Sequence, residues 1–439
     1  MKLPFPKIIL PLLLSACASF QPRPISAEKT CADFNARTLD HSGLQGFLAE
    51  QKASDGSWTV DRLALAAAYF HPDVALARAE AEEVAAAIQT AGQRPNPVFT
   101  FGPQFASNHV NPITPWFMAG ALSIPIETAG KRARRTEQAL AAAEAARWRV
   151  SSRAWAARSR VRTAMLELHG ARENIRLLET EQKLHDEAIR KLTAQMDAGD
   201  VSPFELTQAR LMLNRTRLAL QDAQRLAATG EAKLAVAIGV PLNALRAVNL
   251  DFAEFHRLPE PGNSRRRALT QRADLMVLLA EYAAAESALR LEIARQYPDL
   301  RLSPGYDYNQ GQNRWQLGLN LELPFNRNAG AIAQAEAKRK TAEARFLAQQ
   351  SAIQGELDIA LAAYQASRAK AATAATLAQE ASDASGTTRR MVEAGQVSAL
   401  ELTRRQIEAS TANVALMTAN IEAQSAAGSL EDAMQATLR

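Results

Sequence analysis

The feature that most constrains this sequence is an internal duplication with a period of about 200 residues. The ten-residue segment Ala198–Thr207 recurs at Ala394–Thr403 with seven identical positions, and both copies begin Ala-Gly-x-Val-Ser. Pro103 recurs as Pro304, 201 residues later. Chance similarity between alanine-rich helices does not account for a repeated turn sequence. We therefore expect the two halves to share one fold.

Each half predicts the same order of elements: a helix, two strands, a very long helix, a turn and a returning helix. The first half predicts helix 57–94, strands 96–107 and 114–126, and helices 131–197 and 203–240. The second half predicts helix 264–296, strands 297–309 and 313–325, and helices 331–393 and 399–437. This division makes residues 57–240 and 264–439 the two repeats. Residues 241–263 connect them, in an equatorial region partway along the long helices.

The long helices are predicted from the absence of proline between Pro125 and Pro203, and again after Pro324. Proline costs about 3 kcal/mol inside a helix. At 1.5 Å per residue, the segment 131–197 forms a rod about 100 Å long, which no compact core requires. Leucines and small residues at heptad spacing along 206–234 indicate a coiled-coil seam. An ordinary helical bundle also fits the heptads, although the length disfavours it.

The strand segments alternate between apolar and polar residues, most clearly over 315–325. This alternation is typical of a lipid-facing barrel strand, and half-buried hairpins packed on helices are the alternative. Pro103 and Pro304 interrupt the pattern and predict one kink or bulge in each half. Four strands cannot close a barrel, and open edges in lipid are forbidden. Two copies would supply eight strands and three copies twelve.

The N-terminus has the features of a bacterial secretory signal. Lysines precede a short apolar run that ends Leu-Ser-Ala-Cys17, which resembles a lipoprotein cleavage site. This predicts a signal peptide over 1–16, lipidation of Cys17 and a lipidated N-terminal extension over 17–56 anchored to outer-membrane lipid. Ordinary cleavage near Ala16 or Ala18 is the alternative. A single lipid chain anchors weakly, so the rest of the chain should supply a second anchor.

Composition excludes several other functions. The 51 Lys and Arg residues exceed the 46 Asp and Glu residues by only five, which calls for no nucleic-acid partner. No apolar run of about 18 residues exists, which excludes a polytopic helical membrane protein. Neither an enzyme motif nor a cofactor motif is present, and the six histidines show no metal-ligand spacing. We therefore expect no catalytic residue, no cofactor and no resident metal.

Signal sequence, twofold repeat, strand pairs and long helical hairpins together resemble the TolC family of outer-membrane efflux proteins. The motif Arg94-Pro-Asn-Pro97 and the segment 124–132 resemble its CzcC branch, which serves heavy-metal efflux. The resemblance implies a mixed α and β membrane protein: a long α-helical periplasmic barrel plus four β-strands per chain in a shared trimeric 12-stranded outer-membrane β-barrel. The implied partners are a periplasmic adaptor protein and an inner-membrane pump of the RND type.

The two Ala-Gly-x-Val-Ser segments resemble the family's periplasmic tip. The residues expected to contact the adaptor, with positive φ at the two glycines, are Gly199, Val201, Ser202, Gly395, Val397 and Ser398. Glu205 and Glu401 are expected to ring the closed aperture, where carboxylates favour cations. The alternative is that both are helix-start residues favoured by the helix dipole. Arg404 is expected to pair with Glu401 between chains and hold the tip shut.

The expected function is passive conduction through an outer-membrane channel of a tripartite efflux system, with heavy-metal cations as cargo. Two alternatives remain at this point. The same channel could carry drugs or other organic molecules. The chain could instead be a non-channel coiled-coil lipoprotein that bridges the layers of the envelope.

Overall fold

A computed structural model describes residues 20–53, 56–107, 114–260 and 265–438. Its helices before the first strand are α1 Ala27–Asn35, α2 Ser42–Glu50, α3 Val60–Phe70 and α4 Pro72–Gly92. The first half continues with β1 Val98–Phe105, β2 Trp116–Ile126, α5 Lys131–Asp197, α6 Pro203–Ile238 and α7 Leu242–Arg246. The second half contains α8 Arg265–Gln271, α9 Ala273–Ala294, β3 Leu300–Asn309, β4 Gln312–Leu321, α10 Ala329–Glu393 and α11 Ala399–Met434.

The long helices form where the proline gaps predict them. Helix α5 occupies the predicted range 131–197, and α10 begins two residues earlier than expected and ends at Glu393. Each begins after a residue in the left-handed conformation: Gly130 at φ 69° and Asn328 at φ 55°. Along the described residues, no helix combines the length and the apolar character needed to cross a membrane.

The helix predicted over 57–94 is wrong, because it is two helices. Pro72 occupies the first turn of α4, where its missing N–H breaks no helical bond. His71 caps α4, and its Nδ1 accepts a hydrogen bond from the Asp73 amide at 3.1 Å. The helix predicted over 264–296 also divides, at Arg272. Backbone at Arg272 is extended, and its guanidinium donates to the Ala433 carbonyl at 2.8 Å.

Two regions to which the sequence assigned no secondary structure contain helices. Helices α1 and α2 lie within the N-terminal extension, and α7 and a 3-10 turn at Ala253–His256 lie within the connector. Each is nine residues or shorter, so it has too few turns for a periodic pattern to stand out.

The four strands form one antiparallel sheet in the order β1-β2-β3-β4. The hairpin of the first half therefore lies beside that of the second half, and β1 and β4 are the edges of this sheet. Pro103 lies opposite Met118, and Pro304 lies opposite Leu317, without a change of register. The unchanged register excludes a bulge. The β2-β3 pairing is nevertheless interrupted beside Pro304, between the pairs Ala121–Gly305 and Ile124–Leu302, so a kink there stays a prediction. Pro103 is accommodated because it lies on an edge strand.

One face of the sheet is apolar and uncovered. Trp315 is 82% exposed, and the other large apolar side chains of this face with more than a third of their surface exposed are Phe99, Phe101, Phe105, Trp116, Met118, Leu122, Ile126, Leu317, Leu319 and Leu321. Half-buried hairpins would cover this face with helices, so that alternative is wrong. Arg301, Asp307 and Arg314 alternate with the apolar residues and lie on the opposite face. Apolar-out and polar-in is the arrangement a lipid-facing barrel requires.

The long helices pack side by side in the order α6-α5-α11-α10. The predicted heptad seam of α6 is buried at Leu206, Leu213 and Leu234. Small residues bring the helices together: a Cβ on Gly230 would lie 3.4 Å from the Cα of Leu168 on α5. A Cβ on Gly170 would lie 3.2 Å from Ile421 on α11.

The largest apolar core lies at the equator, midway along α5. It joins α2 and α3 to the middle of α5, the end of α6 and the connector, through residues such as Leu44, Val161, Ile238 and Phe255. A buried polar network crosses to the second half. Arg162 donates to the Gln424 carbonyl at 3.0 Å, and Gln424 donates to the Phe255 and Arg257 carbonyls at 3.1 and 2.7 Å.

Candidate functional site

The candidate site is the helical tip, where α5 turns into α6 and α10 turns into α11. In the first turn, the Gly199 amide donates to the Met196 carbonyl at 3.0 Å and the Asp200 amide donates to Gln195 at 2.9 Å. Gly199 has a φ of 82°, as predicted. This pattern ends a helix with a left-handed residue that satisfies its last carbonyls.

The second turn repeats this geometry. The Gly395 amide donates to Val392 at 2.9 Å, the Gln396 amide donates to Met391 at 2.9 Å, and Gly395 has a φ of 70°. Ser398 caps α11 by accepting from the Glu401 amide at 3.2 Å. The repeated sequence therefore encodes one turn twice.

Apolar side chains hold the two turns together. Ala188, Leu192, Leu206 and Leu400 are buried in one cluster, and Val201 packs against it. The cluster joins α5 and α6 of the first hairpin to α11 of the second. Gly199, Ser202, Gly395 and Ser398 are exposed outside it, while Val201 and Val397 are half-buried.

Lys191 adds a polar link between the hairpins that was not predicted from the sequence. Its Nζ donates to the Thr403 hydroxyl at 2.8 Å, to the Ala399 carbonyl at 3.0 Å and to Glu187 at 2.6 Å. Thr403 is fully buried. No sequence signal separates Lys191 from the many other cations of α5, because its role depends on the packing of α5 against α11.

The three predicted gate residues lie in two ion pairs. Arg404 donates to Glu205 of the same chain at 3.0 Å. Glu401 accepts from Arg405 at 3.1 Å. Arg404 therefore has a partner other than Glu401 within the chain. The pairing of Arg404 with Glu401 between chains stays a prediction, and it would have to displace these contacts.

The alternative interpretation of the two glutamates also has structural support. Glu205 and Glu401 both lie in the first turn of their helices, where the helix dipole favours a carboxylate. A helix-start role and a gating role are compatible, since each side chain also binds an arginine at the surface.

A second titratable cluster lies between α5 and α6, about four to five helical turns from the tip. Glu181 accepts from the Thr216 hydroxyl at 3.0 Å and lies 3.5 Å from Nε2 of His185. The hydrogen bond from His185 is the main cause that lowers the pKa of Glu181. Burial opposes this lowering, and the Thr216 bond adds to it.

Two predictions concern features outside the tip: lipidation of Cys17 and the lack of a resident metal. Cys17 lies outside the described residues, and Cys31 is an exposed free thiol on α1. Among the residues with described positions, no three His, Cys, Asp or Glu side chains are placed to hold a metal ion together.

Comparison with known proteins identifies the fold. The family model "Outer membrane efflux protein" matches residues 66–240 and 265–434. The cobalt-zinc-cadmium resistance protein CzcC of Cupriavidus metallidurans is 26% identical over 257 residues, which span 57% of this chain and 61% of that protein.

Two solved channels have the same fold. The outer membrane protein VceC of Vibrio cholerae aligns with a TM-score of 0.70 at 17% identity, covering 90% of this chain and 99% of VceC. CusC aligns with a TM-score of 0.67 at 18% identity, covering 85% of this chain and 91% of CusC.

These matches confirm the fold predicted from the sequence, in which each chain combines long α-helical hairpins with four β-strands. They also confirm the outer membrane of a Gram-negative bacterium as the location, with a periplasmic extension. The alternative of a non-channel scaffold is therefore wrong. The chain belongs to the outer membrane efflux protein family, whose members are passive channels of tripartite efflux systems and not enzymes.

Proposed function

We propose that three copies of this chain form a channel that carries heavy-metal cations from a periplasmic adaptor and an RND-type pump to the exterior. The observation that carries the proposal is that one chain joins a β-sheet suited to lipid to helices long enough to cross the periplasm. A sheet with an uncovered apolar face and two free edges leads directly into helices of 67 and 65 residues. One end suits lipid, and the other crosses an aqueous space about 100 Å deep.

The edges of the sheet support assembly from several chains. Strands β1 and β4 each pair on one side only in the described sheet, and unpaired amides are not tolerated in lipid. Pairing β4 of one chain with β1 of the next satisfies both edges. Three chains then give the 12-stranded barrel of the family.

The tip supports an adaptor contact. Gly199, Ser202, Gly395 and Ser398 are exposed at the two turns, with Val201 and Val397 half-buried beside them. Two turns of the same geometry in each chain would give six nearly equivalent docking positions in a trimer. An adaptor with a helical hairpin fits such positions, because small residues let another backbone approach closely.

Cation cargo is supported by the carboxylates of the tip and by the relative named for cobalt, zinc and cadmium resistance. Glu205 and Glu401 would give a trimer six carboxylates near the aperture. Rings of carboxylates favour cations over anions. Drugs or other organic molecules remain the alternative cargo.

The test has two arms. In planar bilayers, the purified protein should form channels whose reversal potential in a KCl gradient shows cation preference, and Glu205→Gln with Glu401→Gln should reduce that preference. In cells that contain the cognate pump and adaptor, deletion should increase sensitivity to zinc, cobalt or cadmium. Absence of channels would contradict the proposal. Sensitivity to organic compounds alone would assign the channel to the alternative cargo.

Lipidation of Cys17 is a separate proposal that supports membrane anchoring. Intact-mass spectrometry of the mature protein should show a diacylglycerol on Cys17, and Cys17→Ser should lose it. Cleavage near Ala16 or Ala18 without added lipid mass would show ordinary signal processing instead.

A further inference from the structure

The two repeats join their helices at one equivalent position with different chemistry. His71 lies between α3 and α4, and Arg272 lies between α8 and α9, 201 residues later. The same shift relates Asp73 to Asp274, which follow the two joints by two residues. One joint therefore carries a side chain that titrates near neutral pH, and the other carries a side chain that stays charged.

His71 holds both helices of the first joint. Its amide donates to the Ala67 carbonyl at 2.8 Å, and its carbonyl accepts from the amides of Val74 and Ala75 at 3.1 Å. Its Nδ1 accepts from the Asp73 amide, which lies in the first turn of α4, where helical amides have no carbonyl partner within the helix. The side chain of His71 is therefore the cap of α4.

Two donors meet the imidazole of His71. The Asp73 amide lies at Nδ1, and a guanidinium nitrogen of Arg160 lies 3.2 Å from Nε2. A neutral imidazole accepts at one nitrogen, whereas the charged imidazolium carries a proton on both nitrogens and accepts at neither. Protonation therefore removes the cap and places a second positive charge beside Arg160. It also places a cation at the N-terminus of α4, where the helix dipole disfavours it.

Titratable and charged groups from the elements packed on the joint surround His71. They are Arg37 after α1, His41 before α2, Asp73 of α4, Arg153, Arg160 and Glu167 of α5, and Lys233 of α6. The Asp73 carboxylate lies 4.0 Å from Nδ1, but it also accepts from Arg160 at 2.8 Å. Glu167 pairs with Lys233 at 2.7 Å. Arginine and lysine supply four of these groups and carboxylates supply two, so the surroundings oppose a charged imidazole.

The folded protein favours the neutral form of His71. Burial is the main cause that lowers the pKa of His71 below its ordinary value of 6.5. Asp73 opposes this lowering, and Arg160 adds to it. The stabilisation from the neutral imidazole is therefore present at neutral pH and is lost as the pH falls from 6.5 through the lowered pKa.

The second joint has the opposite charge pattern. Arg272 donates to Asp274 at 2.8 Å and to Glu356 of α10 at 2.9 Å. Glu356 follows Arg160 by 196 positions, which is the shift that relates the two tip turns. A cation of a long helix thus lies beside the titratable joint, and a carboxylate of a long helix lies beside the charged one. Because arginine does not lose its proton in proteins, the second joint has no neutral form.

We propose that the α3-α4 joint is an acid-sensitive hinge and that the α8-α9 joint is its acid-insensitive counterpart. At neutral pH, His71 caps α4 and fixes its first turn to the equatorial core, where Val74 is fully buried. In acid, the charged imidazole repels Arg160 and releases this turn. Helix α4 leads to β1, so the hinge lies between the equatorial core and the sheet. It lies within one chain and depends neither on the cargo nor on the number of chains.

Hydrogen exchange of the purified full-length protein, followed by mass spectrometry, tests the hinge. Between pH 7.5 and pH 4.5, after correction for the intrinsic rate, exchange over residues 73–76 should rise about fivefold, the effect of losing a helix cap. Exchange over residues 274–277, at the start of α9, should change far less. An equal rise at both joints, or no rise over residues 73–76, would overturn the proposal.

Replacement of His71 separates its titration from that of its neighbours. Asparagine caps helices and does not titrate, so His71→Asn should keep exchange over residues 73–76 slow at both pH values. His71→Ala lacks a cap, so exchange there should be fast at both. An acid-induced rise in His71→Asn as large as in the unmodified protein would assign the effect to another group and contradict the proposal.

A measurement on the unmodified protein avoids any effect of these replacements on folding. Deuterium exchange at the C2 carbon of the His71 ring reports the protonation of the imidazole. Its midpoint should lie below pH 6.5 and coincide with the midpoint of the rise over residues 73–76. Two clearly different midpoints would contradict the proposal.

Charge reversal at Arg160 tests the role of the neighbouring cation. Arg160→Glu gives the first joint the charge pattern of the second, with a carboxylate on the long helix. His71 should then gain its proton at higher pH, and the rise over residues 73–76 should move upward by about one pH unit or more. Arg147→Glu, at an exposed position about 20 Å away along α5, should leave the midpoint unchanged. An unchanged midpoint in Arg160→Glu would overturn the proposal.

Discussion

Arg404 of α11 lies 3.0 Å from Glu205 of α6, so a side chain from the second half of the chain holds a side chain from the first half at the tip. Lys191 reinforces this contact by joining α5 to α11. Hairpins that separate to widen the tip must break these contacts. The pair is exposed, which limits its strength to about 1 kcal/mol or less.

Arg404→Ala should therefore favour an open tip. Removing one pair of this strength shifts the equilibrium between closed and open by up to about fivefold, and three chains add their effects. Single-channel recording should show higher mean conductance than the unmodified protein. Arg225→Ala is the matched control, because its exposed ion pair with Asp222 lies within α6 and away from the tip. Equal conductance in all three proteins would exclude the Arg404–Glu205 pair as a gate.

The two tip glycines should each be required for their conformation. Alanine at the left-handed φ of Gly199 or Gly395 costs about 1–2 kcal/mol, and the space around both glycines is open, so the cost is conformational alone. Gly386→Ala is the control, since Gly386 is mid-helix in α10 and equally unobstructed, and alanine there should stabilise by about 0.5–1 kcal/mol. Urea unfolding followed by circular dichroism would compare them. Destabilisation by Gly386→Ala to the same extent would contradict this account.

The sequence predicted the long helices well because their ends carry local signals. Helix α5 runs from just after Gly130 to just before the turn at Gly199, and both glycines adopt positive φ. The break at Arg272 has no such signal, because it depends on contacts with Glu356 and the Ala433 carbonyl, far along the chain. Local chemistry determines the first kind of boundary, and tertiary contacts determine the second.

The same division applies to the candidate site: its turns have a local sequence signal, and its ion pairs depend on tertiary contacts. The turns were found because a ten-residue sequence is repeated, and positive φ at Gly199 and Gly395 follows from turn geometry. The partner of Arg404 was not found, since Glu205 lies 199 residues away and meets it only after the hairpins pack. Contact roles for the six tip residues stay predictions until an adaptor is tested.

The polar network at the equator should hold the connector in place. Gln424→Leu keeps the side-chain size but leaves the Phe255 and Arg257 carbonyls without their donor, and Arg162 loses one of its two acceptors on Gln424. An unsatisfied buried group costs about 1–3 kcal/mol. Hydrogen exchange should rise over residues 251–260. Gln379→Leu, at an exposed position of α10, should leave exchange there unchanged; an equal rise would show that the network is not the cause.

Acidification should weaken the α5-α6 hairpin through Glu181. Because the hydrogen bond from His185 lowers the pKa of Glu181 below its ordinary value of 4.5, the folded state favours the carboxylate. This stabilisation is fully present above pH 4.5 and is lost as the pH falls through the lowered pKa. At pH 7, Glu181→Gln should therefore destabilise the protein by about 1 kcal/mol, the size of one partly exposed hydrogen bond.

Thermal unfolding at pH 7 and pH 3 would measure the difference in stability between Glu181→Gln and the unmodified protein. The difference should shrink at pH 3, and Glu179→Gln, an exposed carboxylate on the same helix, should show little difference at either pH. A gap for Glu181→Gln that stays constant between pH 7 and pH 3 would show that the charge of this carboxylate does not stabilise the hairpin.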